Sequence, residues 1–85
     1  DFEVVLDNGT VIQFSNNGQM EKIEAFRTGV PQNLIPEKIK AYVSANYPGA
    51  AFRECEVDRG KHEVKLSNGL ELTFNSVFTL IEIDD

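Results

Sequence analysis

Apolar and polar residues alternate along two stretches of this chain, and the second stretch repeats the first. Residues 2–14 and residues 62–74 share Glu, Val, Leu, Asn-Gly and Phe in register. Alternation with a period of two predicts β-strands, and Asn-Gly between two such runs predicts a hairpin turn. The chain is therefore predicted to contain two copies of one β-unit.

The register of the repeated hairpin follows from which residues must share a face, because directly opposed residues of an antiparallel pair point to the same side. If Ser67-Asn68-Gly69 is a three-residue loop, Leu66 lies opposite Leu70. Lys65 then lies opposite Glu71, so one side is apolar and the other polar. A two-residue loop would mix the sides. We predict a type I turn with the glycine in a left-handed conformation, here and in the first copy.

The next turn of the first copy is predicted to be a two-residue Asn17-Gly18 loop of type I′. That loop places Ile23 opposite Ile12 and Glu21 opposite Phe14.

In the second copy, Val77-Phe78 replaces this Asn-Gly. A β-branched residue strongly disfavours positive φ, so we expect a different turn with Phe78 as an exposed apolar tip. Ile81 is then expected opposite Phe74, and Ile83 opposite Leu72.

A further turn is predicted at Arg59-Gly60. A two-residue loop there gives three cross-strand pairs: Val57 with His62, Cys55 with Val64, and Arg53 with Leu66.

One helix is predicted, from Pro36 to Tyr47. Pro36 suits the first helical position, Glu37 complements the N-terminal dipole, and Pro48-Gly49 ends the helix. Its apolar residues fall on one stripe at helical spacing. They are Ile35, Ile39, Tyr42, Val43 and Tyr47.

These elements predict a single α+β domain, an antiparallel meander of about seven strands with one helix packed on one face. Residues 1–26 form a partial first repeat of three strands, residues 27–35 a linker, and residues 36–85 a complete helix-plus-four-strand repeat. The inner, apolar face of the second copy comprises Cys55, Val57, Val64, Leu66, Leu70, Leu72, Phe74, Ile81 and Ile83. The outer, polar face comprises Glu54, Glu56, Glu63, Lys65, Glu71, Thr73 and Glu82.

The inner face of the first copy is expected to lie partly open. Seven strands span roughly 29 Å, whereas an eleven-residue helix is about 16 Å long and about 10 Å in diameter. We expect this half to be covered by residues that precede Asp1 or by a second chain. A start at Asp1, without an initiator Met, indicates a trimmed piece of a longer precursor.

The net charge of the chain limits the classes of molecule that it can bind. The formal net charge is -6 and no Lys/Arg cluster is present, which argues against nucleic acids and anionic membranes. No apolar run approaches the roughly 18 residues of a membrane span. The single cysteine, Cys55, excludes an intrachain disulfide.

No catalytic or metal constellation is predicted. Cys55 and His62 are diagonal neighbours on the inner face, and a Cys–His pair can generate a thiolate nucleophile. The face is apolar and no third residue orients the pair, so we interpret Cys55 as a small buried hydrophobe. One His, one Cys and scattered carboxylates lack zinc-ligand spacing, so we predict no metal, no cofactor and no enzyme activity.

The outer face supports two interpretations, a solvated sheet surface or a docking face for a protein. Val5 and Val11 add a small apolar area to it. The candidate protein-binding residues are Lys65, Glu71, Glu63, Thr73, Glu54 and Glu56.

The helix and the second hairpin resemble the PepSY-like family of small exported bacterial proteins. The matching segments are Leu34–Ala50, with Ile-Pro-Glu, Ala-Tyr-Val and Asn-Tyr-Pro-Gly-Ala, and Glu63–Phe74. The resemblance implies a fold similar to β-lactamase inhibitor protein, with one complete helix-plus-four-strand unit preceded by the last three strands of another. Val77-Phe78 departs from the Asn-Gly usual in that family.

The resemblance also implies a periplasmic or otherwise exported location. The wider PepSY group is linked to peptidase inhibition, and the similar inhibitor protein grips its target with the exposed sheet face. The matched motif holds no binding signature, so no contact residue is carried over. We expect a non-enzymatic binding module, inhibitor-like, that uses the outer face. The alternative is an assembly module that forms a homodimer or completes a larger sheet.

Overall fold

The computed structural model describes residues 1–85 and has the predicted α+β architecture. Seven strands form one antiparallel sheet in chain order, each hydrogen-bonded to the next. They are β1 (Phe2–Val5), β2 (Val11–Phe14), β3 (Met20–Glu24), β4 (Phe52–Asp58), β5 (Lys61–Leu66), β6 (Glu71–Phe74) and β7 (Leu80–Asp84).

The single α-helix, α1 (Glu37–Asn46), follows a short 3-10 turn at Gln32–Leu34. Pro36 stands just before α1 as the N-cap rather than inside it, and its carbonyl accepts hydrogen bonds from the amides of Ile39 and Lys40 at 3.1 and 3.0 Å. α1 is too short to cross a membrane.

The core lies between α1 and the inner face of β3–β6. Ile39 and Val43 of α1 are fully enclosed, and the Tyr42 ring meets the edge of Phe74 with centroids 5.7 Å apart. Val57, Ile81 and Ile83, which were predicted for the inner face, are exposed instead, so only part of that face is covered. The buried apolar residues form one cluster. They are Ile23, Ala25, Val30, Ile35, Ile39, Val43, Phe52, Val64, Leu66, Leu72 and Phe74.

The repeated hairpin has the predicted register. In the second half, Val64 pairs with Leu72 and Lys65 with Glu71, and the Leu66 amide donates to the Leu70 carbonyl at 2.9 Å. Gly69 has a φ of 90°, which glycine adopts without steric strain. The first half forms the same turn, because the Leu6 amide donates to the Thr10 carbonyl at 2.8 Å.

The predicted type I′ turn at Asn17-Gly18 is wrong. The Ser15 amide donates to the Gln19 carbonyl at 2.8 Å, which makes Asn16–Gly18 another three-residue loop. Phe14 therefore pairs with Met20, and Glu21 is an unpaired bulge residue.

The bulge at Glu21 restores the downstream pairing. Ile12 pairs with Ile23 as predicted, because one extra loop residue and one bulge residue together leave the later register unchanged.

Two further pairs were predicted one residue out of place because a bulge residue was not foreseen. Phe74 pairs with Leu80 rather than Ile81, and Leu66 pairs with Phe52 rather than Arg53. Ile81 and Arg53 are the skipped residues. The pairs beyond them are as predicted, including Leu72 with Ile83 and Cys55 with Val64. The Arg59-Gly60 turn is also confirmed, with φ of 53° and 80° as type I′ requires.

The turn at Val77-Phe78 differs from expectation in two respects. It has the same three-residue form as the equivalent turn of the first half, because the Asn75 amide donates to the Thr79 carbonyl at 2.9 Å. Val77, not Phe78, is the exposed tip, with 68% of its surface accessible. Phe78 has a φ of 65° and takes the position that Gly18 occupies in the equivalent turn of the first half. Its ring packs against the core.

Candidate functional site

The outer face of the sheet is formed by two parallel rows of side chains that each cross all seven strands. Strand pairing places the residues of each row side by side. The first row is Val5, Val11, Glu24, Glu54, Lys65, Glu71 and Asp84, and the second is Glu3, Gln13, Lys22, Glu56, Glu63, Thr73 and Glu82.

All six predicted site residues lie next to one another at the centre of this face. In the first row Lys65 stands between Glu54 and Glu71, and in the second row Glu63 stands between Glu56 and Thr73. Six adjacent side chains on three neighbouring strands form one continuous surface.

Two of the six are nearly inaccessible. Glu54 and Thr73 expose 5% and 6% of their surface, whereas Lys65 is exposed and Glu56, Glu63 and Glu71 are half-buried. Glu54 and Thr73 can support the outer face, but the other four residues supply its accessible contacts.

The whole net charge of the protein is concentrated on the outer face. Its two rows hold eight carboxylates and two lysines, which leaves six net negative charges. The chain as a whole carries a formal charge of -6, so the other side chains sum to zero. The protein is therefore strongly polarised between the outer face and the rest of its surface.

Glu54 is held between two lysines from the neighbouring strands. Its carboxylate oxygens lie 3.7 Å from Lys22 Nζ and 3.8 Å from Lys65 Nζ. Burial raises the pKa of Glu54 above its ordinary value, although both lysines act in the opposite direction. The two lysines are thus largely occupied in compensating one buried carboxylate.

Two carboxylates of the second row, Glu56 and Glu63, have no lysine within ion-pair distance. Glu56 and Glu63 stand directly opposite each other. Burial raises the pKa of Glu63, and repulsion from Glu56 and Glu71 raises it further. Lys22 and Lys65 do not neutralise this part of the outer face.

The first half contributes residues that the sequence analysis did not include. β3 pairs with β4 so that Lys22 lies beside Glu56 and Glu24 beside Glu54. The sequence did contain a signal for these residues. If Ile23 is paired with Cys55 on the inner face, the alternation of side chains along β3 places Lys22 and Glu24 on the outer face.

The inner face of the first half is open. Phe2 stacks on Phe14 with ring centroids 5.0 Å apart, yet 53% of Phe2 and 38% of Val4 remain accessible. The equivalent Val64 in the second half is buried under α1. The far edge of the inner face is also uncovered, because Ile83 exposes 47% of its surface.

Cys55 and His62 line a small apolar pocket of about 90 Å³ beside the start of α1. Burial raises the pKa of the Cys55 thiol to about 12, with a further contribution from Glu54. Burial lowers the pKa of His62. A nucleophilic cysteine needs a depressed pKa, so this environment does not activate the thiol. Met20, Leu34, Ile39 and Val64 complete the apolar wall.

No group of three or more His, Cys, Asp or Glu side chains is arranged to hold a metal ion. The carboxylates of the outer face lie in rows across the sheet rather than converging on one point.

Comparison with known proteins connects this geometry to a family. A family model described as "Putative beta-lactamase-inhibitor-like, PepSY-like" matches residues 1–82. No curated protein matches the sequence.

Three solved structures from Bacteroides are similar to this chain. A "putative periplasmic protein" of the DUF2874 family from Bacteroides vulgatus has a TM-score of 0.94 at 37% identity, over 98% of this chain and 65% of its own. A "putative calcium-regulated periplasmic protein" from Bacteroides thetaiotaomicron has a TM-score of 0.95 at 41% identity, over 100% and 71%. A "putative periplasmic protein of unknown function" from Bacteroides vulgatus has a TM-score of 0.91 at 31% identity, over 98% and 66%. This chain thus spans about two thirds of their length.

Proposed function

The chain belongs to the PepSY-like family, and on that premise we propose that it is an exported, non-enzymatic binding module that holds a protein partner against its outer face. The observation that carries the proposal is the concentration of all net charge on one open, uncovered side of the sheet. The descriptions of the three similar structures as periplasmic proteins support export.

The family description supports a narrower form of this proposal, in which the partner is an enzyme that the chain inhibits. An open antiparallel sheet presents many side chains on one rigid surface, which suits recognition of a folded protein. The contacts would come from Lys65, Glu56, Glu63 and Glu71, with Glu54 and Thr73 fixing the positions of their neighbours.

The test is capture of a partner from periplasmic extract with the chain immobilised. A double variant with Lys65→Glu and Glu71→Lys reverses two central charges and leaves the net charge unchanged. The matched control, Glu37→Lys with Lys38→Glu, makes the same exchange on exposed residues of α1. Loss of the partner with the first variant but not the second supports the proposal, and equal capture by both contradicts it.

A second candidate function is assembly, which the open inner face of the first half favours. Phe2, Val4 and Leu6 are exposed apolar residues in this half. An occupant of that face, a second copy or a helix of another segment, would remove them from water. Sedimentation across a wide concentration range separates the candidates, because a constitutive dimer favours assembly and a monomer at all concentrations argues against it.

A further inference from the structure

The outer face is arranged against the ordinary preference for opposite charges across a sheet. Like charges directly opposite each other on neighbouring strands destabilise the pairing. Three such carboxylate pairs occur here, Glu24 with Glu54, Glu56 with Glu63, and Glu71 with Asp84.

Few cations on the outer face offset this repulsion. Lys22 and Lys65 both approach Glu54, and Lys22 also approaches Glu24 at 4.0 Å. Glu63 and Glu82 have no lysine partner within ion-pair distance. The charges of a folded protein normally favour its fold, and exceptions to this are expected at functional surfaces. The unrelieved repulsion on the outer face is such an exception.

The size of the outer face limits what it can do alone. It measures roughly 29 Å across the strands and roughly 14 Å along the four-residue strands, about 400 Å² in projection. A stable interface buries about 800 Å² per partner, so this surface suits an association in which charge supplies much of the attraction. Accumulated charge of one sign also speeds diffusional encounter with an oppositely charged partner.

We propose that the partner presents a lysine- or arginine-rich protein surface to the outer face, and that its cations relieve the repulsion within the Glu56–Glu63 and Glu71–Asp84 pairs, which no lysine of the chain bridges. This inference rests on the proposed function and adds the chemistry of the partner. A second copy of this chain cannot fill the role with its own outer face, because two surfaces of six net negative charges each would repel. The sign of the charge likewise excludes nucleic acids and anionic lipids.

A direct test uses a synthetic ten-lysine peptide and a ten-glutamate peptide as probes, with binding mapped by amide chemical shifts. We expect only the lysine peptide to bind, with the largest shifts at Glu56, Glu63 and Glu71. Affinity should fall on the order of tenfold between 50 and 200 mM salt, because exposed charges are screened within about a Debye length. Shifts spread evenly over the protein would overturn the proposal.

Matched variants distinguish binding by the outer face from binding that depends only on the net negative charge of the protein. The double variant Glu56→Gln, Glu63→Gln removes two negative charges from the outer face. The control Asp7→Asn, Glu37→Gln removes two from exposed residues that belong to neither row of that face. The first should weaken the lysine peptide about tenfold and raise the melting temperature, because a repulsive pair is removed. The control should do neither, and equal effects of the two variants would contradict the proposal.

The natural partner distinguishes failure of this inference from failure of the proposed function. Suppose that the partner captured from extract is lost with the Lys65→Glu, Glu71→Lys variant. If its affinity does not change with salt, the outer face is the docking surface but the partner is not cationic. A separate control compares Ca²⁺ with Na⁺ at the same ionic strength. If only Ca²⁺ displaces the lysine peptide, the outer face binds a metal ion rather than a cationic protein, and the inference is wrong.

Discussion

The imidazole ring of His62 lies against the phenyl ring of Phe78, with the ring centroids 4.9 Å apart. Phe78 has left-handed backbone geometry at a position where three other hairpin turns have glycine, at Gly9, Gly18 and Gly69. That conformation costs a residue with a side chain roughly 1–2 kcal/mol. The ring contacts of Phe78 with His62 and the core offset this strain.

Replacing Phe78 separates backbone strain from packing. Phe78→Gly and Phe78→Ala both remove the ring, but only glycine removes the strain, so we expect the glycine variant to be more stable by about 1 kcal/mol. Urea unfolding of both variants measures the difference. Equal stability would mean that the backbone at residue 78 relaxes to another conformation in the alanine variant.

Protonation of His62 should destabilise the fold. Burial lowers its pKa in the folded state, while the unfolded chain keeps the ordinary value of about 6.5. The unfolded state therefore binds the proton more readily, so stability is retained above about pH 6.5 and decreases as the pH falls below it.

Two carboxyls act in the opposite direction. Burial raises the pKa of Glu54 and Glu63, so the folded state gains stability relative to the unfolded state as the pH falls toward 4.5. His62→Phe isolates the histidine, because Phe2 holds the equivalent position of the first half. When the pH is lowered from 7.5 to 5.5, the urea midpoint of this variant should fall less than that of the parent. An identical pH response would contradict a role for His62.

Equivalent phenylalanines in the two halves should differ in their contribution to stability. Phe74 exposes 1% of its surface beneath Tyr42, whereas Phe14 is half-buried beside Phe2. We expect Phe74→Ala to cost about 3–5 kcal/mol and Phe14→Ala roughly half as much. If Phe74→Ala does not fold, Phe74→Leu against Phe14→Leu gives the same comparison. Equal losses would show that the inner face of the first half is covered in solution.

The thiol of Cys55 should react slowly while the protein is folded. With a pKa of about 12, its thiolate fraction at pH 8 is on the order of a thousandfold below that of an ordinary cysteine. Labelling with an aromatic disulfide reagent should be slow in buffer and fast in guanidinium. Rapid labelling of the folded protein would restore the nucleophile interpretation of Cys55 and His62.

The alternation of apolar and polar residues was sufficient to predict the strands, their order and the face of the residues that lie outside the bulges. Every wrong pair involves a bulge, at Glu21, Arg53 or Ile81, where one residue is skipped. At Glu21 and Ile81 the loop is one residue longer than predicted, and the bulge then skips one residue, so the later pairs keep their predicted register. A two-residue loop and a three-residue loop followed by a bulge therefore give the same alternation of apolar and polar residues in the sequence.

The accessible part of the outer face could not be predicted in the same way. Glu54 is buried because Lys22 and Lys65 flank it on both sides. That arrangement depends on β3 lying next to β4, although 27 residues separate the two strands. A periodic pattern within one strand does not give the register between β3 and β4, and that register decides which side chains lie beside Glu54.

β7 stands 60 positions after β3, and the two strands have the same length and the same bulge. β3 uses its second edge to bind β4, whereas the corresponding edge of β7 is unoccupied. Within residues 1–85 this edge of β7 is free to accept one more strand, and Glu82, Asp84 and Asp85 place three carboxylates on or next to that strand. Charged side chains on an edge strand hinder pairing with another chain, so replacing these carboxylates with neutral residues would open that edge to chain-to-chain polymerisation.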